Sequence, residues 1–564
     1  VRVEVAATAD TGLAFSAPLP SQADVGPQAE AVLPFRLRAT DQAGAADVRF
    51  TARCGDKEYV RTAALSVRPA SPLRTSLQVG SATQSAELPV ERDVLAFGAR
   101  STGSLSALPL PLVRGFAAYL QAYPYGCTEQ LVSRAFARLL LREYPGLFPD
   151  EKQDEELFEA AMNAIGERLT RGGVAPWPGG RPDPLLTVYA ADFLLAMREA
   201  GRGGADELLQ RLCEVVERLC PLNGSSLAAA RVSAYGIWVL TREGRVTTQL
   251  LENLQDGLAE YKVADWETDL TAVFVASSRK QMFMSADLRP DAIVCRPAGW
   301  FDELAQRALL TTLLARHFPE FCTDTLKNDL FEAVAQAVKG GRYATFSAAQ
   351  GARALLGIGG GTREALADAE LVCADGEGEA RSSLLAGGAL LSVEQPQCRR
   401  YVLRMPAASP RLFWQIATTG YDARPADGAA AHGIEIRRDY LDARGEPVRQ
   451  VRQGDVLTVR LTVRGQKRQI SDCVVSDLLP GGCEMVLARG AADGERSPRG
   501  LKFADRRDDR MLLFADVDNE PLVYTYRIRA VNRGTFAIPP AYVEAMYDQG
   551  MYGHSAGGSL EILP

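Results

Sequence analysis

The sequence predicts a multidomain chain in which an α/α toroid is flanked by antiparallel β-sandwich domains. Two patterns and the length carry that expectation. Apolar residues alternate with a period of two in both end regions, as in strands with one buried face, whereas between about residue 108 and residue 358 the period becomes 3.6. With 564 residues and 47% hydrophobic side chains the chain can bury several cores, about four domains by length.

Residues 1–100 read as β. Val1, Val3 and Val5 alternate with polar neighbours, as do Phe35 and Leu37 and the run from Tyr59-Val60 to Val67, with Gly and Pro turns between. Arg68-Pro69-Ala70-Ser71-Pro72 breaks the pattern. Residues 101–360 read as helical, with eleven or twelve segments near 112, 130, 155, 188, 208, 230, 250, 270, 308, 330 and 350. In the segment after Gln130, Leu131, Ala135 and Leu139 run beside Val132, Phe136 and Leu140, which leaves Arg134 and Arg138 toward water. Helix hairpins that each leave one apolar face open must stack, and a closed ring of them has no uncovered end. Gly359-Gly360-Gly361 is a turn-rich exit rather than a phosphate cradle, since no P-loop lysine follows. Residues 361–430 return to β and are expected to close a sandwich that the helices interrupt. A breaker-rich stretch, Arg424-Pro425-Ala426-Asp427-Gly428-Ala429-Ala430-Ala431, marks the next boundary. In residues 431–564, Leu457, Val459, Leu461 and Val463 oppose Thr458, Arg460 and Thr462, and Tyr524, Tyr526 and Ile528 alternate likewise, as sandwich strands do.

A net charge of −7, a pI near 5.4 and no basic stripe argue against nucleic acid as a partner. No run approaches the ~20 apolar residues of a membrane span, and the first residues lack the charged, apolar, small-residue order of a signal peptide. Because Val1 opens the chain without a methionine and the first strands read as the middle of something, a fragment or processed product is expected. The ten cysteines have neither metal spacing nor the density of a disulfide framework, so most read as core thiols. Cys473 and Cys483 flank the turn Leu479-Pro480-Gly481-Gly482, which leaves a pairing open in an oxidising compartment.

The chemistry centres on Tyr123-Pro124-Tyr125-Gly126-Cys127-Thr128-Glu129-Gln130. A cysteine three places before a glutamine, where a loop enters an amphipathic helix, brings Sγ and the Gln side-chain carbonyl together across one turn. The thiol can then displace ammonia and leave an internal β-cysteinyl-γ-glutamyl thioester, an acyl group activated toward amines, hydroxyls and water. A helix N-terminus is expected to lower the thiol's pKa and favour ring closure. A bare Cys-x-Glu-Gln is a weak signal, equally a packed thiol beside surface residues; the eight-residue context makes it specific.

That stretch resembles the thioester motif of the alpha-2-macroglobulin and complement family, and its Tyr-Pro-Tyr-Gly-Cys context resembles the bacterial branch. Thr128 stands where animal members commonly have glycine. The resemblance implies a helical thioester domain between macroglobulin-like and CUB-like sandwiches, with Cys127 and Gln130 as the reactive pair and no cofactor beyond their own thioester. It also implies that Tyr123 and Tyr125, ahead of the cysteine, and a methionine near the C-terminus shield the bond; Met546 is the candidate, with Met551 second. Glu129 either orients backbone groups or is solvated, and Thr128 is expected to cap the helix. Of His317, His432 and His554, only His317 lies in the helical region, at a helix end where a cation is favourable without catalysis. Without an acyl-accepting histidine, direct attack by lysine amines is expected. Gly172-Gly173 and Trp177, followed by Leu186-Thr187-Val188-Tyr189 and Asp192-Phe193-Leu194, resemble a structural signature of the same domain and are expected to position helices. Phe346-Ser347-Ala348-Ala349-Gln350 matches a second family stretch too loosely to carry a role. The acidic Asp265-Trp266-Glu267-Thr268-Asp269 has the wrong spacing for a terpene cyclase, and no Cys/His/Asp zinc set can be assembled.

The implied function is a protease-trapping inhibitor, not an enzyme: cleavage of a bait segment, not recognisable here, would expose the thioester to a lysine of the attacking protease. Two other readings stay open. One is a cysteine-nucleophile acyl transferase or peptidase, which needs a base near the thiol; the other is a scaffold homologue whose bond no longer forms. The resemblance further implies the periplasm, a lipid tether on a distant N-terminus, proteases as partners and a penicillin-binding protein as a neighbour.

Overall fold

The computed structural model describes residues 1–142, 144, 151–220, 225–358, 369–374, 380–385, 389–407, 411–424, 428–466, 469–486 and 498–564. The expected exit at Gly359-Gly360-Gly361 and the breaker residues 425–427 lie outside them. A helical middle stands between antiparallel sheets.

Residues 1–67 form one four-stranded antiparallel sheet, ordered Gln22–Asp24, Arg2–Ala9, Gly44–Cys54 and Lys57–Val67, with a separate pair, Leu13–Phe15 and Leu37–Ala39. The next strands pair across the helices. Leu412–Gly420 lies between Arg74–Ala82 and Arg100–Ser106, with Ile416 opposite both Gln78 and Gly103, and Arg400–Arg404 pairs with Ala86–Pro89. Two sheets therefore combine strands from before and after the helical insertion, around Leu105, Leu371, Tyr401, Leu403 and Ile416. Close approach of the Tyr401 ring explains Gly103, where an added Cβ would meet the ring at 2.7 Å. A disulfide joins Cys373 to Cys398 in this core, with Cα atoms 5.9 Å apart. The open pairing of Cys473 with Cys483 is not formed; both are free, buried thiols in the last region.

Eleven α-helices follow among the described residues: α1 (Leu110–Ala122), α2 (Thr128–Leu141), α3 (Glu151–Arg168), α4 (Pro184–Glu199), α5 (Asp206–Leu219), α6 (Leu227–Glu243), α7 (Thr248–Glu260), α8 (Leu270–Gln281), α9 (Glu303–His317), α10 (Asp324–Lys339) and α11 (Thr345–Ile358). Their starts are chemically marked. Asp183, Ser226, Asp269, Asp302 and Thr323 each accept a backbone N–H of the first turn of α4, α6, α8, α9 and α10. In space, α2 packs on α4, α4 on α6, α6 on α8, α8 on α9, α9 on α11, and α11 returns to α2. The apolar stripe of each of these helices is buried against its neighbours.

A polar cluster pins that packing. Asp192 of α4, fully buried, accepts hydrogen bonds from Tyr235 Oη (2.6 Å) and from the Arg242 and Arg353 guanidiniums of α6 and α11. Burial opposes its ionisation, but the two guanidiniums prevail and hold the carboxyl well below the usual range. Arg134 and Arg138 do not face water as the periodicity suggests. Arg138 is buried against Asp154 of α3, and Arg134 turns back to the Tyr123 and Tyr125 carbonyls. Both have long stems that lie along apolar surface while the guanidinium finds a partner.

The last region packs a six-stranded sheet, which includes Ile470–Leu478, Arg510–Val517 and Tyr542–Ala545, over a four-stranded one that includes Val456–Gly465 and Leu522–Ala530. Leu457, Val459, Leu461 and Val463 all point into the core between them. A different core, shared by α1, α2, α10 and α11, contains Leu390 and Phe413 of the interrupted sheets and Val474, Phe514 and Met546 of the last region. Cys127 sits in it.

Replacing Asp192 with Ala removes the carboxylate partner of Arg353 and leaves Arg242 with Glu199 alone, so a loss of about 3 kcal/mol is expected. Urea unfolding followed by far-UV circular dichroism checks this; an unchanged midpoint would show that the cluster does not hold α4, α6 and α11 together.

Candidate functional site

The first turn of α2 has N–H groups with no partner inside the helix, and it is buried, so each must be satisfied by other means. Cys127, not Thr128, is the N-cap residue, with extended backbone (φ −68°, ψ 167°). Its Sγ accepts the Gln130 N–H, while Gln130 Oε1 accepts the Cys127 N–H at 3.0 Å. This is a capping box in which a thiol replaces the usual hydroxyl and glutamine closes the reciprocal bond. The same geometry sets the sulfur and the Gln130 side chain over one turn. Thr128 instead donates its hydroxyl to the Ala175 carbonyl (2.8 Å), and its N–H goes to Pro176 (3.0 Å), in the loop after the short hairpin Leu169–Thr170 and Gly173–Val174.

Cys127, Thr128, Glu129 and Gln130 are all within 1% of full burial. The lid comes from two sides. From the helical region, Tyr123 and Tyr125 meet edge to face at 5.3 Å, with Tyr123 also against Tyr119. From the last region, Phe514 covers Tyr125 and approaches Trp177 to 4.0 Å between centroids, and Phe503 stacks on Trp177. Trp177 thus closes the site as well as shaping its own loop. Met546 Sδ accepts the Gln130 amide N–H at 3.3 Å. Met551 belongs to the core of the last region and packs beside Gly433.

Glu129 is neither solvated nor bound to backbone groups. Its carboxylate accepts from Ser133 Oγ (2.6 Å), Thr345 Oγ1 (2.7 and 2.9 Å) and Tyr547 Oη (3.0 Å). Burial raises its pKa against those three hydrogen bonds. The cluster joins α2, α11 and the last region, and Tyr547 in turn packs on Trp300. Thr345 and Tyr547 are missed by sequence reasoning; Tyr547 is adjacent to Met546, and that adjacency was the available signal. Burial, reinforced by Glu129, pushes the Cys127 thiol far up, which overturns the expectation of a thiol acidified by the helix end: desolvation outweighs the backbone hydrogen bonds.

Residues 433–549 match the bacterial alpha-2-macroglobulin MG10 domain. Across 95% of the chain, 28% of residues are identical to the alpha-2-macroglobulin homolog of Yersinia pestis, and across 96%, 29% are identical to alpha-2-macroglobulin of Rickettsia conorii. The chain is a relative of the bacterial alpha-2-macroglobulins. It spans 29–30% of the length of those two proteins. Its fold matches native Escherichia coli alpha-2-macroglobulin from domain MG7 to the C-terminus, with TM-score 0.76 and 21% identity, covering all of this chain and 94% of that one. Salmonella alpha-2-macroglobulin reacted with methylamine matches equally, with TM-score 0.76 and 21% identity over all of this chain and 39% of that one.

Within this alpha-2-macroglobulin relative His317 is no cation at a helix end. It is buried, its Nε2 accepts the Trp238 Nε1–H at 3.0 Å, and burial, aided by Arg316 and Arg242, lowers its pKa to about 4. It packs in a different core from Cys127. Between pH 6.5 and about 4 the unfolded chain binds a proton that the folded imidazole refuses, so stability should fall as pH drops through that window. NMR titration should give His317 a midpoint near 4, and His317→Gln should flatten the slope of stability against pH; a midpoint near 6.5 would contradict the buried neutral form.

Proposed function

We propose that this chain is the thioester-bearing part of a protease-trapping protein of the alpha-2-macroglobulin kind. The observation that carries the reading is the reciprocal capping of Cys127 and Gln130 in a dry niche. Ring closure would exchange two hydrogen bonds for one covalent bond: the sulfur attacks the Gln130 acyl carbon, the C–N bond breaks, and ammonia leaves. The capping geometry presents the pair, and Tyr123, Tyr125, Trp177, Phe514 and Met546 keep water from the product. An attacking amine then forms an amide with Gln130 and frees Cys127 as a thiol. The Gln130 acyl group is consumed, so the reaction is single-use and the chain is an inhibitor rather than an enzyme. Reaction of the Salmonella protein with methylamine supports an amine-reactive centre here. On this reading the returning contact of α11 with α2 closes an α/α toroid, flanked by CUB-like and macroglobulin-like sandwiches.

Proteases are the proposed partners, engaged once cleavage elsewhere in the whole protein shifts the last region off the helices. The Met546–Gln130 and Tyr547–Glu129 contacts are what such a shift would break. The Cys373–Cys398 disulfide supports an oxidising compartment, here the periplasm. Among the described residues no helix is long and apolar enough to cross a membrane. A cysteine enzyme is the weaker reading: burial raises the thiol, and the described hydrogen bonds of this niche bring it no histidine.

Intact mass should be lower than the sequence mass by one ammonia. Methylamine should add its own mass and expose one further titratable thiol, and Cys127→Ser should abolish both. Full mass with no methylamine uptake would leave the scaffold reading, and catalytic turnover of a peptide or acyl donor would establish the enzyme.

A further inference from the structure

Two cations flank the capped pair. Arg134 follows Cys127 by about two helical turns, so it starts on the same face of α2, and helical side chains lean toward the N-terminus. Its guanidinium therefore returns over the turn that begins at Cys127 and donates to the Tyr123 and Tyr125 carbonyls, the latter at 2.7 Å. Arg168, the last residue of α3, arrives from the other side and donates to Thr128 Oγ1 and to the Pro176 carbonyl, both at 2.9 Å. The segments just before and just after Cys127 thus each hold a guanidinium.

All of these acceptors are neutral oxygens. Among the described residues neither arginine forms an ion pair, and the Nε–H of each is buried without an acceptor. A cation withdrawn from water with no anion beside it is costly. Burial lowers the pKa of both, and the charge that offsets this most is that of an ionised Cys127 sulfur. The other charges facing the sulfur are Glu129, from α2, and Asp472, from the last region, which Lys502 holds at 2.7 Å. Tyr123 and Tyr547 also lie within electrostatic reach, and burial keeps them neutral. Arg134 and Arg168 both belong to the helical region, so they stay with the sulfur when the last region departs, whereas Asp472 leaves.

We propose that Arg134 and Arg168 form an anion-stabilising pair that holds the Cys127 sulfur as a thiolate when it leaves the Gln130 acyl group. The proposal rests on the thioester reading above. As the nucleophile bonds to the acyl carbon the C–S bond breaks, its electron pair stays on sulfur, and the surplus proton of the nucleophile passes to solvent. Neighbouring arginines lower the pKa of a thiol, and a thiol of lower pKa leaves faster. The pair acts on the sulfur by charge rather than by a hydrogen bond.

The test reads the acidity of the Cys127 thiol in the full chain. Intact mass comes first: no ammonia deficit would overturn the thioester reading and the leaving-group role with it. Given the deficit, methylamine frees the thiol, iodoacetamide alkylates it across a range of pH, and peptide mass separates Cys127 from the other free cysteines. Arg134→Gln and Arg168→Gln should each raise the midpoint by about one pH unit, a roughly ten-fold slower alkylation below it. Arg134→Lys and Arg168→Lys should leave it near that of the unaltered chain, since lysine keeps the charge and loses only the planar fork. A guanidinium that merely holds its carbonyls in place would instead move the Lys and Gln variants alike. Unchanged midpoints in both Gln variants, or Lys variants that shift as far as the Gln ones, would overturn the pair and leave the thioester reading standing.

Discussion

The structure turns on the burial of the first turn of α2. A helix start removed from water must find partners for its free N–H groups, and each is costly if left alone. Here Gln130 returns to the Cys127 N–H, the Cys127 sulfur takes the Gln130 N–H, and the Pro176 carbonyl takes that of Thr128. That solution dictates much around it. It requires the hairpin loop that supplies Ala175 and Pro176, the Arg134 contacts that hold the Tyr123–Tyr125 segment, and a cover over the remaining open side.

The cover is the last region, and it attaches by two kinds of contact. Aromatic and thioether side chains fill space and exclude water: Phe503, Phe514 and Met546 against Trp177, Tyr125 and Gln130. Tyr547 adds a directional contact to the buried Glu129 carboxylate, whose other donors are Ser133 and Thr345. A carboxylate in such a place is tolerated because three hydroxyls surround it. Removing the last region would take one of those donors away and admit water. Closure of the niche and docking of this region are therefore one event.

Much of the architecture is legible in the sequence because periodicity is local. The 3.6-residue rows of Val132, Phe136 and Leu139 end up inside the helical core, and the Leu457–Val463 alternation ends up inside a sheet sandwich. The described helices fall at the eleven positions that the pattern marks. Side-chain destinations are less legible. Arg134 and Arg138 look like a solvated face and are not, because guanidiniums on long stems can find partners on loops and helices that the local pattern does not contain. His317 looks like a terminal cation, yet Trp238, 79 residues away in sequence, makes it a neutral acceptor.

By itself the sequence determined the chain's division into sheets, helices and sheets, and it singled out Cys127 and Gln130, since a spacing of three on a helix puts two side chains over one turn whatever surrounds them. Tertiary structure alone decided that the pair is dry, that its thiol is disfavoured as an anion, and that Glu129 is caged by hydroxyls. Those properties depend on desolvation and on partners hundreds of residues distant, and burial is a property of the packed molecule rather than of any stretch of chain.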